Sequence, residues 1–471
     1  MIKTAVSIWQ WYRSGYNAIV LLANCECMRK RGLFLLLPIL LLGGLTLSLP
    51  AILRATPSRY VARLPEPLQK LGAPRDQAPI LPTPASLVNA AALLIPTATP
   101  TTISLAEPAT FTPVPTITPG GESEPQTSTP TPIPTATLPP TATPVPIPAE
   151  ARLTGITHKF QTWNNCGPAT LAMTLSYFGD YLTQDQTAAV LKPNPEDRNV
   201  SPWEMAAYVN DQTDLQAVFR VNGTRYTLQR LLANGIPVII EVGIDPPGEY
   251  RWLGWYGHYL LLVAYDQAQE QFWVYDSWFG TSEEPLANDN PDGRILTYDD
   301  LNTYWPHFNR NYIVLYEPEQ AALVADIIGQ DMDDAVMWQN ARQQVQGETA
   351  VSPDNAFNWF NLGTIYNALG EYTNAATAFD QARAIGLPWR MLWYQFGPYE
   401  AYYENGRYQD IILLADLTLQ DRPYFEESYY YKGLALAALG DTNAARENLQ
   451  KAADFNPNFA PATVALAKLG D

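Results

Sequence analysis

Between about Pro74 and Glu150 the chain is built of repeated Thr-Pro units of proline, threonine, alanine and serine, with no basic residue between Arg75 and Arg152. No other stretch limits the possible folds as strongly. This composition cannot bury enough apolar surface to offset the entropy of ordering it, and its prolines favour extended polyproline II. At ~3.1 Å per residue it reaches ~200 Å when fully extended, long enough to act as a stalk. A disordered Pro/Thr-rich linker is therefore expected over residues 54–150. It separates a short N-terminal part from everything that can build a core. At 471 residues, the chain has room for two or more domains.

The N-terminal part reads as a membrane signal. Residues 1–31 carry Lys3, Arg13, Arg29, Lys30 and Arg31 against a single acid, Glu26. Residues 32–53 follow without a charge, and 22 residues at ~1.5 Å rise span roughly 33 Å, the thickness of a bilayer core. The basic cluster ahead of this run predicts a cytoplasmic segment over 1–31 and a single-pass transmembrane helix over 32–53, with all later residues outside. A cleaved signal sequence, giving a secreted protein, is the rival; the lack of a small-x-small cleavage site favours the uncleaved anchor. The balance of 29 basic to 47 acidic residues, a net charge of −18, argues against a nucleic-acid partner. Three cysteines rule out a disulfide framework, and three histidines scattered among them show no metal-ligand spacing. Neither a metal nor another cofactor is expected.

Residues 151–317 form a first folded domain. Gln161-Thr162-Trp163-Asn164-Asn165-Cys166-Gly167-Pro168 reads as a loop delivering a cysteine onto the first turn of a helix. Asn164 or Asn165 is the candidate side-chain cap, and Pro168 suits an early helical position. Leu171, Leu175 and Phe178 repeat at helical spacing, with Gly179 as the stop. Further helices are expected at Gln184–Leu191, Pro202–Asn210 and Tyr226–Asn234. Alternating or β-branched runs predict strands at Gln216–Val221, Pro237–Gly243, His258–Tyr265, Gln271–Asp276 and Tyr312–Tyr316. Helices followed by an antiparallel sheet argue an α+β domain.

Residues 318–471 are helical and periodic. Gly329, Gly363, Gly397 and Gly433 are spaced 34, 34 and 36 residues apart, and Pro353, Pro388, Pro423 and Pro457 are spaced 35, 35 and 34. In one unit Trp359, Leu362, Gly363 and Tyr366 mark a helix, Gly370 breaks it, and Ala375, Phe379 and Ala382 mark the next. The unit from Tyr429 to Ala452 repeats the pattern. These residues resemble tetratricopeptide repeats, which implies an all-α solenoid that holds a protein or peptide partner. The middle unit departs from the pattern, with Glu400 at the usual aromatic position and Pro398 inside the expected first helix.

A cysteine nucleophile needs a base, a group to orient that base, and donors for an oxyanion. Cys166 stands apart from the other cysteines, Cys25 and Cys27, and a helix N-terminus lowers a thiol pKa. His258 opens a buried strand and Asp276 ends the next, so a hairpin turning near Gln267–Glu270 makes them neighbours. His158 and His307 are rival bases. Gln161, five residues before Cys166, can offer a side-chain amide to the same pocket. The stretches Gln161 with Asn165-Cys166-Gly167-Pro168, Gly257-His258-Tyr259-Leu260 and Tyr275-Asp276-Ser277-Trp278 resemble the papain-like cysteine peptidases, in particular the bacteriocin-processing, double-glycine type of family 39. The resemblance implies Cys166 as nucleophile, His258 as general base and acid, Asp276 as orienting residue and Gln161 as oxyanion donor. In many papain-like enzymes the cysteine follows the glutamine by six positions; here it follows by five.

The expected activity is that of a membrane-anchored extracytoplasmic thiol hydrolase of peptide or amide bonds, acyl transfer being a variant. A catalytically degenerate peptide-binding or scaffold protein of the cell envelope is the alternative, and thiol reactivity separates the two. The aromatic loop Tyr250–Tyr256 is expected to border the cleft.

Overall fold

The structure, a computed structural model, describes residues 80–85, 90–94 and 147–470 apart from 163, 195, 198, 246–253 and 283–289, together with residues 49, 53 and 68. The expected cytoplasmic segment lies outside the described residues, as does the expected anchor except Leu49 and Leu53. Among the described residues no helix is long and apolar enough to cross a membrane.

The first folded unit is an α+β domain. Its seven-stranded sheet runs β2 (Gln216–Arg220), β7 (Tyr312–Tyr316), β3 (Val238–Ile244), β4 (Tyr256–Asp266), β5 (Gln271–Asp276), β6 (Arg294–Thr297), with β1 (Glu150–Arg152) pairing onto the far end of β4. The pairs β1–β4, β2–β7, β3–β7, β4–β5 and β5–β6 are all antiparallel. β4 runs through the apolar stretch Tyr259–Tyr265, and its interior is buried throughout.

Helix α1 (Cys166–Tyr177) lies in the core, buried from Gly167 to Ser176. A helix buried all round is apolar all round. Leu171, Met173 and Leu175 pack with Leu261 and Val263 of β4, and with Ile313 and Leu315 of β7. Each such leucine, fully buried, contributes about 1.5–3 kcal/mol. The polar residues on α1 bond inward: the Thr174 hydroxyl donates to the Thr170 carbonyl at 2.8 Å and the Ser176 hydroxyl to that of Met173 at 2.6 Å. Helices α2 (Gln184–Leu191), α3 (Pro202–Gln212) and α4 (Arg225–Ala233) follow the expected spans within two residues, while β1, β6 and α5 (Tyr298–Tyr304) had no expectation attached to them.

From Ala321 the chain is helical: α6 (Ala321–Ile328), α7 (Asp334–Val351), then pairs α8 (Ala356–Ala368) with α9 (Tyr372–Ile385), α10 (Gly397–Glu404) with α11 (Tyr408–Asp421) and α12 (Glu426–Ala438) with α13 (Thr442–Phe455), closed by α14 (Ala460–Gly470). Small residues set the pair spacing. A Cβ on Gly363 would lie 2.5 Å from Phe379 Cε1, and one on Gly433 would lie 2.7 Å from Leu449 Cγ. Pro398 corrects the sequence reading. It stands in the first turn of α10 instead of the helix interior, so the helix begins there and is eight residues long. The missing N–H costs nothing in that turn.

Residues 80–85 and 90–94, inside the span expected to be a linker, lie against the repeats. Leu81 is buried and its N–H donates to the Leu387 carbonyl at 2.9 Å, while Arg383 Nε donates to the Pro82 carbonyl at 2.9 Å. The short helix Ala90–Leu94 then offers the Leu93 carbonyl to Gln346 Nε2 of α7 at 2.7 Å. The local sequence Ile80-Leu81-Pro82 carries the apolar side chains that the Thr-Pro units lack.

Candidate active site

Cys166 is the first residue of α1, where the helix leaves its N–H groups unbonded and its dipole favours negative charge. The residue before it, Asn165, occupies the cap position, but its side chain accepts no capping bond. Instead Asn165 Nδ2 donates to Gln184 Oε1 at 3.0 Å, tying the loop to α2. Asn164 does not cap either: it holds φ at 54° and its amide donates to the Glu196 carbonyl at 3.2 Å. A type of residue suited to capping has here been used to pin the loop.

His258 and Asp276 meet across the β4–β5 hairpin. Leu260 is the direct partner of Asp276, so His258, two residues back, projects from the same face. His258 Nε2 donates to Asp276 Oδ1 at 2.8 Å, both groups being buried. The same carboxylate oxygen accepts the backbone N–H groups of Trp278 at 2.7 Å and Phe279 at 3.0 Å. The carboxylate is thereby fixed, and it fixes the ring. The ring also hydrogen-bonds the Cys166 thiol.

The electrostatics follow from those contacts. Burial alone would raise the Cys166 pKa, but His258, a backbone hydrogen bond from Tyr259 and the charge of Lys192 hold it below the ordinary thiol value. Burial alone would lower His258, but Asp276 and the cysteine push it up to about 10. Burial opposes ionisation of Asp276 as well, and His258, Arg294 and the Phe279 N–H hold it below the ordinary carboxylate value. These shifts favour a thiolate–imidazolium pair at neutral pH.

Gln161 approaches from the loop before α1. Its N–H donates to the Ser277 carbonyl at 2.7 Å, and its side-chain Oε1 accepts the Ser277 hydroxyl at 2.8 Å. With its oxygen held, the amide nitrogen is the end left to serve a ligand. The two rival histidines are occupied elsewhere. His158 Nε2 donates to the backbone carbonyl of Asp276 at 2.9 Å, and His307 Nδ1 donates to that of Gly243 at 3.1 Å while its ring stacks on Phe357 at 3.7 Å. Most of the aromatic loop, residues 246–253, lies outside the described residues.

Three neighbours of the cysteine were not singled out from the sequence. Ser277 orients Gln161, and its place next to Asp276 was the available hint. Lys192 is buried at the end of α2, with Nζ donating to the Asn164 and Asp197 carbonyls at 2.8 Å each. Glu241 on β3 is buried, with Oε2 accepting from Asn311 Nδ2 at 2.6 Å, and a lone acid inside the apolar run Val238–Ile244 was the visible signal. Among the described residues no group of acids, histidines and cysteines could hold a metal ion.

The family model described as "Peptidase_C39 like family" matches residues 147–302, and the tetratricopeptide repeat model matches 358–382 and 426–459. Among solved structures, a protein described as a C39-like peptidase from Bacillus anthracis is 16% identical, covering 36% of this chain and 98% of that one, with a TM-score of 0.28. A double-glycine-motif protease from an AMS/PCAT transporter, in complex with its leader peptide, is 14% identical over 36% of this chain and 94% of that one, TM-score 0.24. MamA, residues 41 to the end, from Desulfovibrio magneticus RS-1 is 18% identical over 32% of this chain and 84% of that one, TM-score 0.27. No curated protein matches. Residues 147–302 belong to the peptidase C39-like family, and tetratricopeptide repeats follow them.

Proposed function

We propose that this chain is a thiol hydrolase of peptide or amide bonds, working through Cys166, His258 and Asp276. One observation carries the reading: a single imidazole bridges a thiol at a helix N-terminus and a buried carboxylate 2.8 Å from its Nε2. Cys166 Sγ attacks the substrate carbonyl carbon. The oxyanion that forms is taken to meet the Cys166 N–H at the helix N-terminus and the Gln161 amide nitrogen, whose oxygen is held by Ser277. The His258 imidazolium gives its proton to the departing amine, leaving a thioester on Cys166. The neutral ring then takes a proton from water as the hydroxide attacks the thioester carbonyl; the C–S bond breaks, the acid product departs, and the thiolate is left beside the imidazolium that keeps the proton. Asp276 holds the ring and stabilises its charged form. An amine in place of water would complete acyl transfer.

The repeats fit a role in recruiting a protein partner, as such repeats commonly do. The uncharged run at 32–53 behind Arg29–Arg31 supports a single-pass anchor with the domains extracytoplasmic; protease added to intact spheroplasts removes the folded domains on this reading, and their full protection contradicts it. The catalytic step is tested by acyl trapping. The protein incubated with activated peptide esters should carry the acyl mass on Cys166, and His258→Ala should abolish it. Turnover that persists in Cys166→Ala sinks the proposal.

A further inference from the structure

A cavity of about 250 Å³ lies where the sheet domain meets the repeats, lined by Glu241, Phe308 and Asn309 on one side and by Trp338, Asn367 and Glu400 on the other. We infer that this cavity is a subsite for one basic side chain, the ammonium of a lysine or the guanidinium of an arginine, on the peptide that Cys166 attacks. The inference rests on the thiol-hydrolase reading and assigns part of its specificity.

Four observations carry it. The first is composition: the described lining residues include two acidic side chains, Glu241 and Glu400, and no lysine, arginine or histidine. The second is hydrogen-bond polarity. Asn309 Oδ1 and Asn367 Oδ1 are buried without a partner, on side chains that are 4% and 8% exposed. Three amide donors of the lining are already used: Asn311 Nδ2 goes to Glu241 at 2.6 Å, Asn367 Nδ2 to the Gly397 carbonyl at 2.8 Å, and Gln395 Nε2 to the His307 carbonyl at 3.4 Å. The two unpartnered carbonyl oxygens remain as buried acceptors. An ammonium brings three donors and a guanidinium five, whereas an acid or an alkyl group leaves buried acceptors unmet. The third is the wall: Trp338, Tyr394 and Phe396 offer π faces to a cation. The size suits one side chain, being below the roughly 300–1,000 Å³ of sites that take whole small molecules.

The fourth observation joins the cavity to the chemistry. Gly257, the residue before His258, approaches two cavity residues so closely that a Cβ would lie 2.8 Å from Phe308 Cζ and 2.9 Å from Tyr394 Cδ1. The cavity wall is therefore the back of the strand that aims the ring. Burial, with the Cys166 charge adding to it, pushes the Glu241 carboxyl up to about 8. Tyr259 of β4 interacts with both Glu241 and Tyr394. A bound cation supplies the countercharge that this carboxylate lacks. The repeats thus complete the cleft as well as offering a partner surface.

The test uses the full chain and a set of acetylated tripeptide chloromethyl ketones, each with lysine, norleucine or glutamate at one of the three positions. The rate of Cys166 labelling is read by mass spectrometry, with iodoacetamide as the side-chain-free reference. At one position lysine should exceed norleucine by about tenfold, equivalent to 1.4 kcal/mol, and glutamate should be slowest. Glu241→Gln and, on the opposite wall, Glu400→Gln should each shrink the lysine-to-norleucine ratio within the same variant. Labelling by iodoacetamide with no lysine preference at any position overturns the subsite and leaves the hydrolase reading standing. If Cys166 does not react with iodoacetamide, the hydrolase reading fails. The cavity is then judged by fluorescence anisotropy of the corresponding labelled peptide acids on Cys166→Ala: tighter binding of lysine peptides supports it, and equal binding to lysine and norleucine overturns it.

Discussion

Two buried charged clusters, one in the sheet domain and one in the repeats, are equally deep and are built for opposite ends. Asp276 and Asp380 are 4% and 3% exposed. In the repeats, Arg407 grips Asp380 with Nη1 at 2.5 Å and Nη2 at 3.0 Å, and reaches Asp410 through Nε at 3.0 Å. Arg383 donates to the Tyr402 hydroxyl at 2.9 Å, which in turn donates to Asp380 at 2.9 Å. The charges of α9 and α11 answer each other, and the cluster fastens two helices. In the sheet domain the chain of contacts starts at a fixed carboxylate, passes through one imidazole and ends on a thiol. Buried charge in itself is no sign of chemistry. What distinguishes the cluster of the sheet domain is that its last member is a nucleophile at a helix N-terminus.

The comparison breaks most visibly at His258. His258→Ala should lower hydrolysis by on the order of 10⁶-fold, and Asp276→Asn by on the order of 10⁴-fold, in activity assays on peptide substrates. Asp276 keeps two backbone N–H donors in the first variant, so far-UV circular dichroism should stay that of the parent. Loss of the fold in step with the activity would make this cluster structural, like the other. Asp380→Ala should do the reverse. It removes one of the two carboxylates that Arg383 and Arg407 share, leaving them Asp410, and should cost about 3 kcal/mol in urea unfolding. Folded protein should still be alkylated at Cys166 at the parental rate. A smaller effect is expected at Gly363→Ala. The helix gains about 1 kcal/mol in propensity, but the methyl meets Phe379, which is fully buried and cannot retreat. A net loss of about 1–2 kcal/mol in the same unfolding assay is expected; a gain would mean the helix pair is looser than its spacing requires.

Much of the frame was legible because it depends on local period. The spans Gln184–Leu191, Gln271–Asp276 and Tyr312–Tyr316 are found as expected, since turn residues bound them on both sides. The meeting of His258 and Asp276 follows from hairpin arithmetic, which needs only that two consecutive strands pair; the roles of the two residues remain proposals. What was not legible depends on distant partners. β1 is three residues long and exists only because β4 extends past β3 to receive it. Leu81 lies in a stretch whose composition argues disorder, and only the Leu387 carbonyl and Arg383 give it a place. The cavity draws residues from 202 to 400, a separation no motif spans. Asn165 was misread because capping preference is a local statistic, and Gln184 competes for its amide.

The central claim is that Cys166 is a thiolate paired with an imidazolium, and the rate of iodoacetamide alkylation against pH tests it most directly. The folded thiol pKa is held below its ordinary value and the His258 pKa is raised to about 10. The pair therefore exists above the first and below the second. As pH falls, the fast rate should be lost only well below ~8.5, the free-cysteine value. As pH rises, the rate should change again near 10, when the ring gives up its proton and the thiolate stands alone. In His258→Ala, burial is opposed only by the Tyr259 backbone hydrogen bond and the Lys192 charge, and the thiol titration should move up towards the ordinary value. A single rise at or above ~8.5 in the parent, unmoved by His258→Ala, would contradict the account.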